Sequence, residues 1–66
     1  MAEANEYCVI GLGAFGSALA IELYERGNVV LGIDRNEIVV NWHQDLITQV
    51  LQVDATNEAA LRAAGV

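Results

Sequence analysis

Three closely spaced glycines constrain the fold of this chain more than any other feature. Gly11, Gly13 and Gly16 have the spacing G-x-G-x-x-G and lie between a short apolar segment and a longer amphipathic one. In such a turn the first glycine permits a sharp change of direction, the second lets a pyrophosphate approach the backbone, and the third lets a helix pack closely on a strand. The spacing therefore predicts a strand, a phosphate-binding turn and a helix.

The segments on both sides of the glycines support this order. Residues 7–10 have the composition of a strand, and residues 15–26 place Phe15, Leu19 and Leu23 four positions apart along one face of a helix. Amides at the start of that helix would stabilise phosphate without a basic side chain, because they lack helical acceptors and lie at the positive end of the helix dipole.

An acidic residue follows at the position where a ribose is expected. Gly27 is predicted to end the helix, and residues 28–33 form a second predicted strand that ends at Asp34. The interval from Gly11 to Asp34 fits the spacing of about 20 residues expected for a carboxylate that binds ribose hydroxyls. The same carboxylate would repel a 2′-phosphate, so NAD(H), ADP or AMP is expected to bind better than NADP(H).

A second helix is predicted to start after Asn36, which is a suitable N-cap. Val39, Trp42 and Leu46 follow at near-helical spacing, and we expect Trp42 to lie in the core or at an interface. His43 has no second histidine, cysteine or paired carboxylate at ligand spacing, so it is predicted to be a surface or helix-packing residue, and no metal site is expected.

The remaining sequence predicts one more strand and one more helix. Residues 48–53 alternate in polarity as a third strand, and a last helix over residues 57–64 is predicted with Thr56 as N-cap and Gly65 just after its end. Val66 is where a fourth strand would start. The order βαβαβα with right-handed crossovers predicts an α/β fold with three parallel strands in the order 3-2-1, the first half of a Rossmann fold.

Composition excludes several classes of function. The 66 residues carry a net charge of −6, with three arginines and no lysine, so binding to nucleic acid or to an anionic membrane surface is not expected. No apolar stretch reaches 18 residues, and the first six residues include two glutamates and no basic residue, unlike the start of a signal peptide. We therefore expect a cytoplasmic protein without direct membrane insertion. The single cysteine, Cys8, is expected to be buried in the first strand.

Four segments together resemble one known family, the RCK domain, whose N-terminal half is also called the TrkA-N or KTN domain. They are residues 9–16, 32–37, 53–56 and 61–66. The second and fourth segments distinguish the resemblance from that to a generic dehydrogenase. The whole chain, residues 1–66, is therefore predicted to be a nucleotide-binding half-domain of this kind.

The resemblance implies a role in potassium transport. It implies a cytoplasmic, non-catalytic regulatory module of a K⁺ channel or transporter, which binds NAD(H) or AMP, ADP or ATP and assembles into dimers or a ring. It also implies a set of cofactor-binding residues, namely Gly11, Gly13, Ala14, Phe15, Gly16, Asp34, Arg35, Asp54 and Ala55.

The roles within this set differ in how many alternatives they leave open. The resemblance gives the glycines and the amides of Ala14 and Phe15 to the phosphates and Asp34 to the adenosine ribose. Asp54 and Ala55 would border the adenine, although a residue such as Asp54 at the entry to a helix also satisfies local amides.

At two further positions the role that the family resemblance implies is either open to alternatives or changed by the residue present. Arg35 would contact a phosphate or the face of adenine, or else be a solvated surface arginine. Many family members carry arginine where this chain has Ala14. Losing such a charge-assisted contact removes roughly 1.5–3 kcal/mol of polyphosphate affinity, which favours NAD(H), ADP or AMP over ATP.

An alternative function from another class is the cofactor-binding fragment of an NAD-dependent oxidoreductase, and a third is a scaffold that binds no nucleotide. The sequence offers no catalytic residue, because it contains no Ser–His, Cys–His or Tyr-x-x-x-Lys arrangement. In the order 3-2-1 the first strand, residues 7–10, is an apolar edge, so a homo-oligomer, most simply a two-fold dimer, is expected.

Overall fold

The computed structural model describes residues 5–65 and confirms the predicted α/β architecture. Its elements, in chain order, are β1 (Glu6–Ile10), α1 (Ala14–Glu25), β2 (Val29–Asp34), α2 (Glu37–His43), β3 (Gln49–Gln52) and α3 (Glu58–Ala63). The strands are all parallel and lie in the order β1-β2-β3, which is the predicted 3-2-1 order viewed from the other edge. The predicted start of a fourth strand at Val66 lies outside the described residues.

The register of the sheet sets the positions of the loops that follow the strands. Ile10 at the end of β1 pairs with Ile33 in β2, so Gly11 lies beside Asp34, the last residue of β2. The N–H of Gly11 donates to the carbonyl of Ile33 at 2.8 Å, and the N–H of Val53 donates to the carbonyl of Asp34 at 3.0 Å. These backbone hydrogen bonds thus continue past the ends of β1 and β3. They hold the loops that follow the three strands together at the carboxyl ends of the strands.

The core lies between one face of the sheet and the two helices α1 and α2. α1 packs on β1 and β2, and α2 packs on β2 and β3. Burial of apolar side chains in this layer supplies the main favourable free energy of folding. The buried cluster consists of Leu12, Ala20, Val30, Val40, Ile47 and Val50.

The helical face predicted for α1 is wrong for Phe15 and Leu19, although Leu23 packs against the buried core. Phe15 is 80 % exposed and Leu19 is also exposed, whereas Ala20 is fully buried. The reason is how closely α1 approaches the strands: a Cβ at Gly16 would lie only 1.9 Å from the carbonyl oxygen of Gly11. Small residues occupy such a close contact, and the larger side chains are displaced to the flanks of the helix.

Two burial predictions also fail. Cys8 is exposed, because it pairs with Leu31 on the face of the edge strand that α1 and α2 do not cover. Trp42 is 62 % exposed and so is not a core residue. Its prediction as an interface residue remains a prediction.

The ends of the helices follow local chemistry with one exception. Gly27 and Gly65 have φ angles of +91° and +87°, as expected for glycines that follow helix ends. Asn36 caps α2, as predicted, through bonds to the amides of residues 38 and 39. α3 is capped by Asn57, whose side chain accepts from the amide of residue 60, and not by Thr56.

Candidate functional site

The glycine turn joins β1 to α1 with the geometry that its spacing predicts. Gly11 has a φ of +88°, which a residue with a side chain adopts only with strain. Gly13 is the N-cap of α1, in extended conformation, and no side chain caps it. The amides of the first helical turn, at Ala14, Phe15 and Gly16, therefore have no helical acceptors and are available to an anion.

The space beside Gly13 differs from the space beside Gly16. A Cβ on Gly13 would meet no atom of residues 5–65 within 4 Å, so the backbone there faces space that these residues leave open. A Cβ on Gly16 would collide with the carbonyl of Gly11. The second glycine thus leaves room for a ligand, and the third permits the close approach of helix and strand.

Asp34 is tied to the glycine turn by its carboxylate. Oδ2 accepts from the N–H of Leu12 at 2.8 Å, and Oδ1 accepts from the N–H of Asn36 at 2.9 Å. These bonds, first that from Asn36 and then that from Leu12, lower the pKa of Asp34. A carboxylate oxygen has two lone pairs, so each oxygen retains one for a further donor such as a ribose hydroxyl.

The bond from Leu12 is a part of the site that sequence reasoning missed. The bond from Asn36 is a local Asx-type contact, two residues away, for which the Asp-x-Asn sequence was a signal. The contact with Leu12 spans 22 positions and depends on the register of two strands, for which the sequence carries no local signal.

One cleft collects predicted residues from three separate loops. It has a volume of about 340 Å³ and lies at the carboxyl ends of the strands, which is where ligands bind in open α/β sheets. Of the predicted set, the lining includes Gly11, Asp34, Arg35, Asp54 and Ala55. The other predicted residues are not among those that line this cleft.

Gly13 and Ala14 line a second cleft, of about 350 Å³, between the start of α1 and the helix α2. Apolar side chains of α2, among them Ile38 and Trp42, form its other wall. Phe15 lines neither cleft and directs its ring into solvent, so only its backbone amide can take the predicted role.

Asp54 accepts hydrogen bonds from nearby residues, which is the alternative to an adenine contact that the sequence left open. Its Oδ1 accepts from both the N–H and the hydroxyl of Thr56, at 2.9 and 2.6 Å. These bonds lower the pKa of Asp54, with the hydroxyl as the larger cause. Arg35 is exposed, and its charge also lowers the pKa of both Asp34 and Asp54. A contact of either residue with adenine remains a prediction.

His43 is a helix-packing residue and not a surface residue. It is 2 % exposed, and its ring nitrogens lie 2.7 Å from the carbonyl of Val39 and 2.7 Å from the hydroxyl of Ser17. No group of three or more potential metal ligands occurs among residues 5–65. The expectation that the chain has no Ser–His arrangement is wrong, because Ser17 and His43 meet from two different helices. Spacing along the sequence does not reveal such a pair.

Within the part of the chain that the structure describes, no helix is both long and apolar enough to cross a bilayer.

Comparison with known proteins gives a family and several relatives. The family described as the TrkA-N domain matches residues 7–66. Ktr system potassium uptake protein A of Bacillus subtilis (strain 168) is 38 % identical over 62 residues, which is 94 % of this chain and 28 % of that protein. Protein C of the same system and organism is 34 % identical over 61 residues, covering 92 % and 28 %. Protein A of Vibrio alginolyticus is 38 % identical over 54 residues, covering 82 % and 24 %. The aligned part of this chain thus corresponds to only about a quarter of the length of each relative.

Proposed function

The chain belongs to the TrkA-N domain family, and from this premise we propose that it is a non-catalytic regulatory module that binds NAD(H) or an adenine nucleotide. The phosphates would lie on the amides of Ala14 and Phe15, beside the open backbone of Gly13. The adenosine would occupy the cleft that holds Asp34, with its ribose on the free lone pairs of that carboxylate.

A single observation carries this proposal: Asp34 accepts from the amide of Leu12 inside the glycine turn. The ribose acceptor and the phosphate-binding amides are thereby held at a fixed separation, as a nucleotide with adjoining ribose and phosphate requires. The clustering of Arg35, Asp54 and Ala55 around the same cleft adds support for adenine on the far side of Asp34.

The preferred ligand follows from charge. The ionised carboxylate of Asp34 would repel a 2′-phosphate, so NAD(H), ADP and AMP would bind better than NADP(H). Ala14 supplies no cation for a terminal phosphate, which disfavours ATP. The backbone amides and the dipole of α1 would carry the phosphate affinity.

The names of the relatives suggest the process in which the module takes part, because they describe potassium uptake proteins. We propose that this chain likewise serves a K⁺ transporter as a cytoplasmic regulatory half-domain, that it works as a homo-oligomer, and that nucleotide stabilises the assembly by mass action. Nucleic acid is not a proposed partner. Family membership favours this function over that of an oxidoreductase fragment.

A calorimetric titration with ADP and 2′-deoxy-ADP tests the ribose assignment directly. Removing the 2′-hydroxyl should weaken binding to the unmodified chain by about ten- to 150-fold, because a bond to a charged acceptor is worth about 1.5–3 kcal/mol. In Asp34→Asn this preference should shrink, while the amide oxygen can still accept from Leu12. NADP(H) should bind the unmodified chain more weakly than NAD(H).

The matched control is Asp45→Asn, which removes an exposed carboxylate after the other end of α2. It should leave the preference for the 2′-hydroxyl intact. Equal affinity of the unmodified chain for ADP and 2′-deoxy-ADP, or for NAD(H) and NADP(H), would rule out Asp34 as the ribose acceptor. No binding of any adenine nucleotide would refute the proposed function as a whole.

A further inference from the structure

The buried ring of His43 has both nitrogens engaged. Nδ1 lies 2.7 Å from the carbonyl oxygen of Val39, and Nε2 lies 2.7 Å from Oγ of Ser17. A carbonyl oxygen can only accept, so Nδ1 carries the hydrogen and donates to it. In the neutral ring Nε2 then accepts from the hydroxyl of Ser17. Residues 5–65 form two ion pairs, both between an arginine and a glutamate. No carboxylate of these residues lies within 4.0 Å of a ring nitrogen of His43.

Ser17 connects this bond to the first turn of α1. Its N–H donates to the carbonyl of Gly13 at 2.8 Å and closes the first hydrogen-bonded turn of the helix. The amides inside that turn include those of Ala14 and Phe15, the two that the proposed function assigns to the phosphates. Because Gly13 offers no side chain as a cap, the hydroxyl of Ser17 is a side-chain tether between this turn and α2.

Asp34 holds the glycine turn, which lies just before α1. It bonds to the amides of Leu12 and Asn36, and Asn36 is the N-cap of α2. The bond between Ser17 and His43 reaches the last residue of α2. Asp34 thus holds the glycine turn near the start of α2. The imidazole of His43 holds the first turn of α1 at the end of α2.

We propose that the hydrogen bond between Ser17 and His43 is a positioning contact for the phosphate of the bound nucleotide. Both side chains line the cleft beside Gly13 and Ala14, and their polar atoms are bonded to each other. This bond holds the first turn of α1 so that its amides converge on one phosphate. This inference rests on the proposed nucleotide function and adds two residues to it. Losing the hydroxyl disturbs the phosphate contacts and leaves those of adenosine, which Asp34 provides, in place.

Calorimetric titration with ADP and with adenosine separates the two parts of the ligand. Ser17→Ala should bind ADP about three- to tenfold more weakly, as expected for a lost neutral hydrogen bond, with adenosine affinity unchanged. Ser17→Thr keeps a hydroxyl at the same position and should restore the affinity for ADP. A variant that merely lowers the folded fraction would weaken both ligands equally.

Thr48→Val is the matched control. The hydroxyl of Thr48 accepts from the N–H of Val30 at 2.9 Å, at the opposite end of the sheet. Its loss removes a comparable bond to a backbone amide far from the turn, so it should lower stability and leave the affinity for ADP unchanged. His43 is the chain's single histidine, so its ¹⁵N resonances are unambiguous. They should show the Nδ1–H tautomer, and the Nε2 signal should shift in Ser17→Ala but not in Thr48→Val.

Three outcomes overturn the positioning role. These are unchanged affinity of Ser17→Ala for ADP, equal losses for ADP and adenosine, and an equal loss of ADP affinity in Thr48→Val. Each of them leaves the proposed function standing, because the unmodified chain still binds ADP. If the unmodified chain binds neither ADP nor adenosine, the proposed function fails and the positioning role fails with it.

Discussion

At the scale of single residues, Asp34 shows how one side chain can serve structure and function together. Its oxygens accept from the amides of Leu12 and Asn36, which belong to the loops that follow β1 and β2. Backbone amides are fixed donors, so they orient the carboxylate before any ligand arrives. The sequence spacing predicted a carboxylate here, and the structure adds the two bonds that hold it.

Those bonds make stability depend on the ionisation of Asp34. They lower its pKa in the folded state, so the ionised form contributes stability in full above the unfolded value of about 3.9. That contribution is lost as the pH falls through the folded value. Urea unfolding from pH 7 down to pH 2.5 should therefore show a shallower loss of unfolding free energy in Asp34→Asn than in the unmodified chain.

The control for this measurement is Asp45→Asn, which should lose stability with falling pH as steeply as the unmodified chain. Asp54 also has a lowered pKa, held down by Thr56, so some acid sensitivity should remain in Asp34→Asn. Parallel pH profiles for the unmodified chain and Asp34→Asn would show that the carboxylate makes no net contribution to folding.

At the scale of helices and strands, the sequence predicted the order and type of every described element, because local signals determine them. Glycines at positions 11, 27 and 65 need positive φ angles, and each one marks the end of an element. The helical face of α1 was not predictable in the same way. Periodicity favoured Phe15 and Leu19, but the close contact at Gly16 rotates Ala20 into the core.

The candidate site divides along the same line. The geometry of the glycine turn and the position of Asp34 beside it were predictable, since their spacing along the chain is fixed by the strand–turn–helix unit. Their roles toward a nucleotide remain predictions. The burial of His43 and its bond to Ser17 depend on how two helices pack, which periodicity alone does not specify. The predicted burial of Cys8 was wrong for a related reason. It would have required other residues to pack on the face of the sheet opposite α1 and α2.

α3 provides a test of local stability at this scale. No Cα atom of α3 lies within 8 Å of another described element, so its caps carry much of its stability. Asn57→Ala removes the acceptor for the amide of Ala60 and costs the helix about 1 kcal/mol. Hydrogen exchange of the α3 amides should then be about fivefold faster, with little change in the global free energy of unfolding.

Thr56→Val distinguishes the observed cap from the predicted one. It removes a hydroxyl that donates to Asp54 and makes no bond to an α3 amide, so exchange within α3 should stay nearly unchanged. Faster exchange in Thr56→Val than in Asn57→Ala would restore Thr56 as the effective cap.

At the scale of the whole molecule, an acidic chain has an apolar edge strand that no other described strand covers. β1 is an outer strand of the sheet, so half of its backbone groups have no partner strand among the described residues. Tyr7 on this strand is exposed, and Phe15 and Leu19 on α1 are exposed as well. A second apolar area lies on α2, at Ile38 and Trp42.

The last prediction decides which of these two surfaces associates. We expect sedimentation at micromolar concentration to show a dimer that forms through β1, because an unpaired parallel edge gains backbone hydrogen bonds as well as apolar burial. Tyr7→Lys places a charge on that edge and should shift the chain toward monomer. Ile38→Lys, a change of the same kind on α2, should leave the dimer intact. The opposite pattern would assign association to α2, and a folded monomer whose β1 amides resist exchange would show that the edge needs no partner.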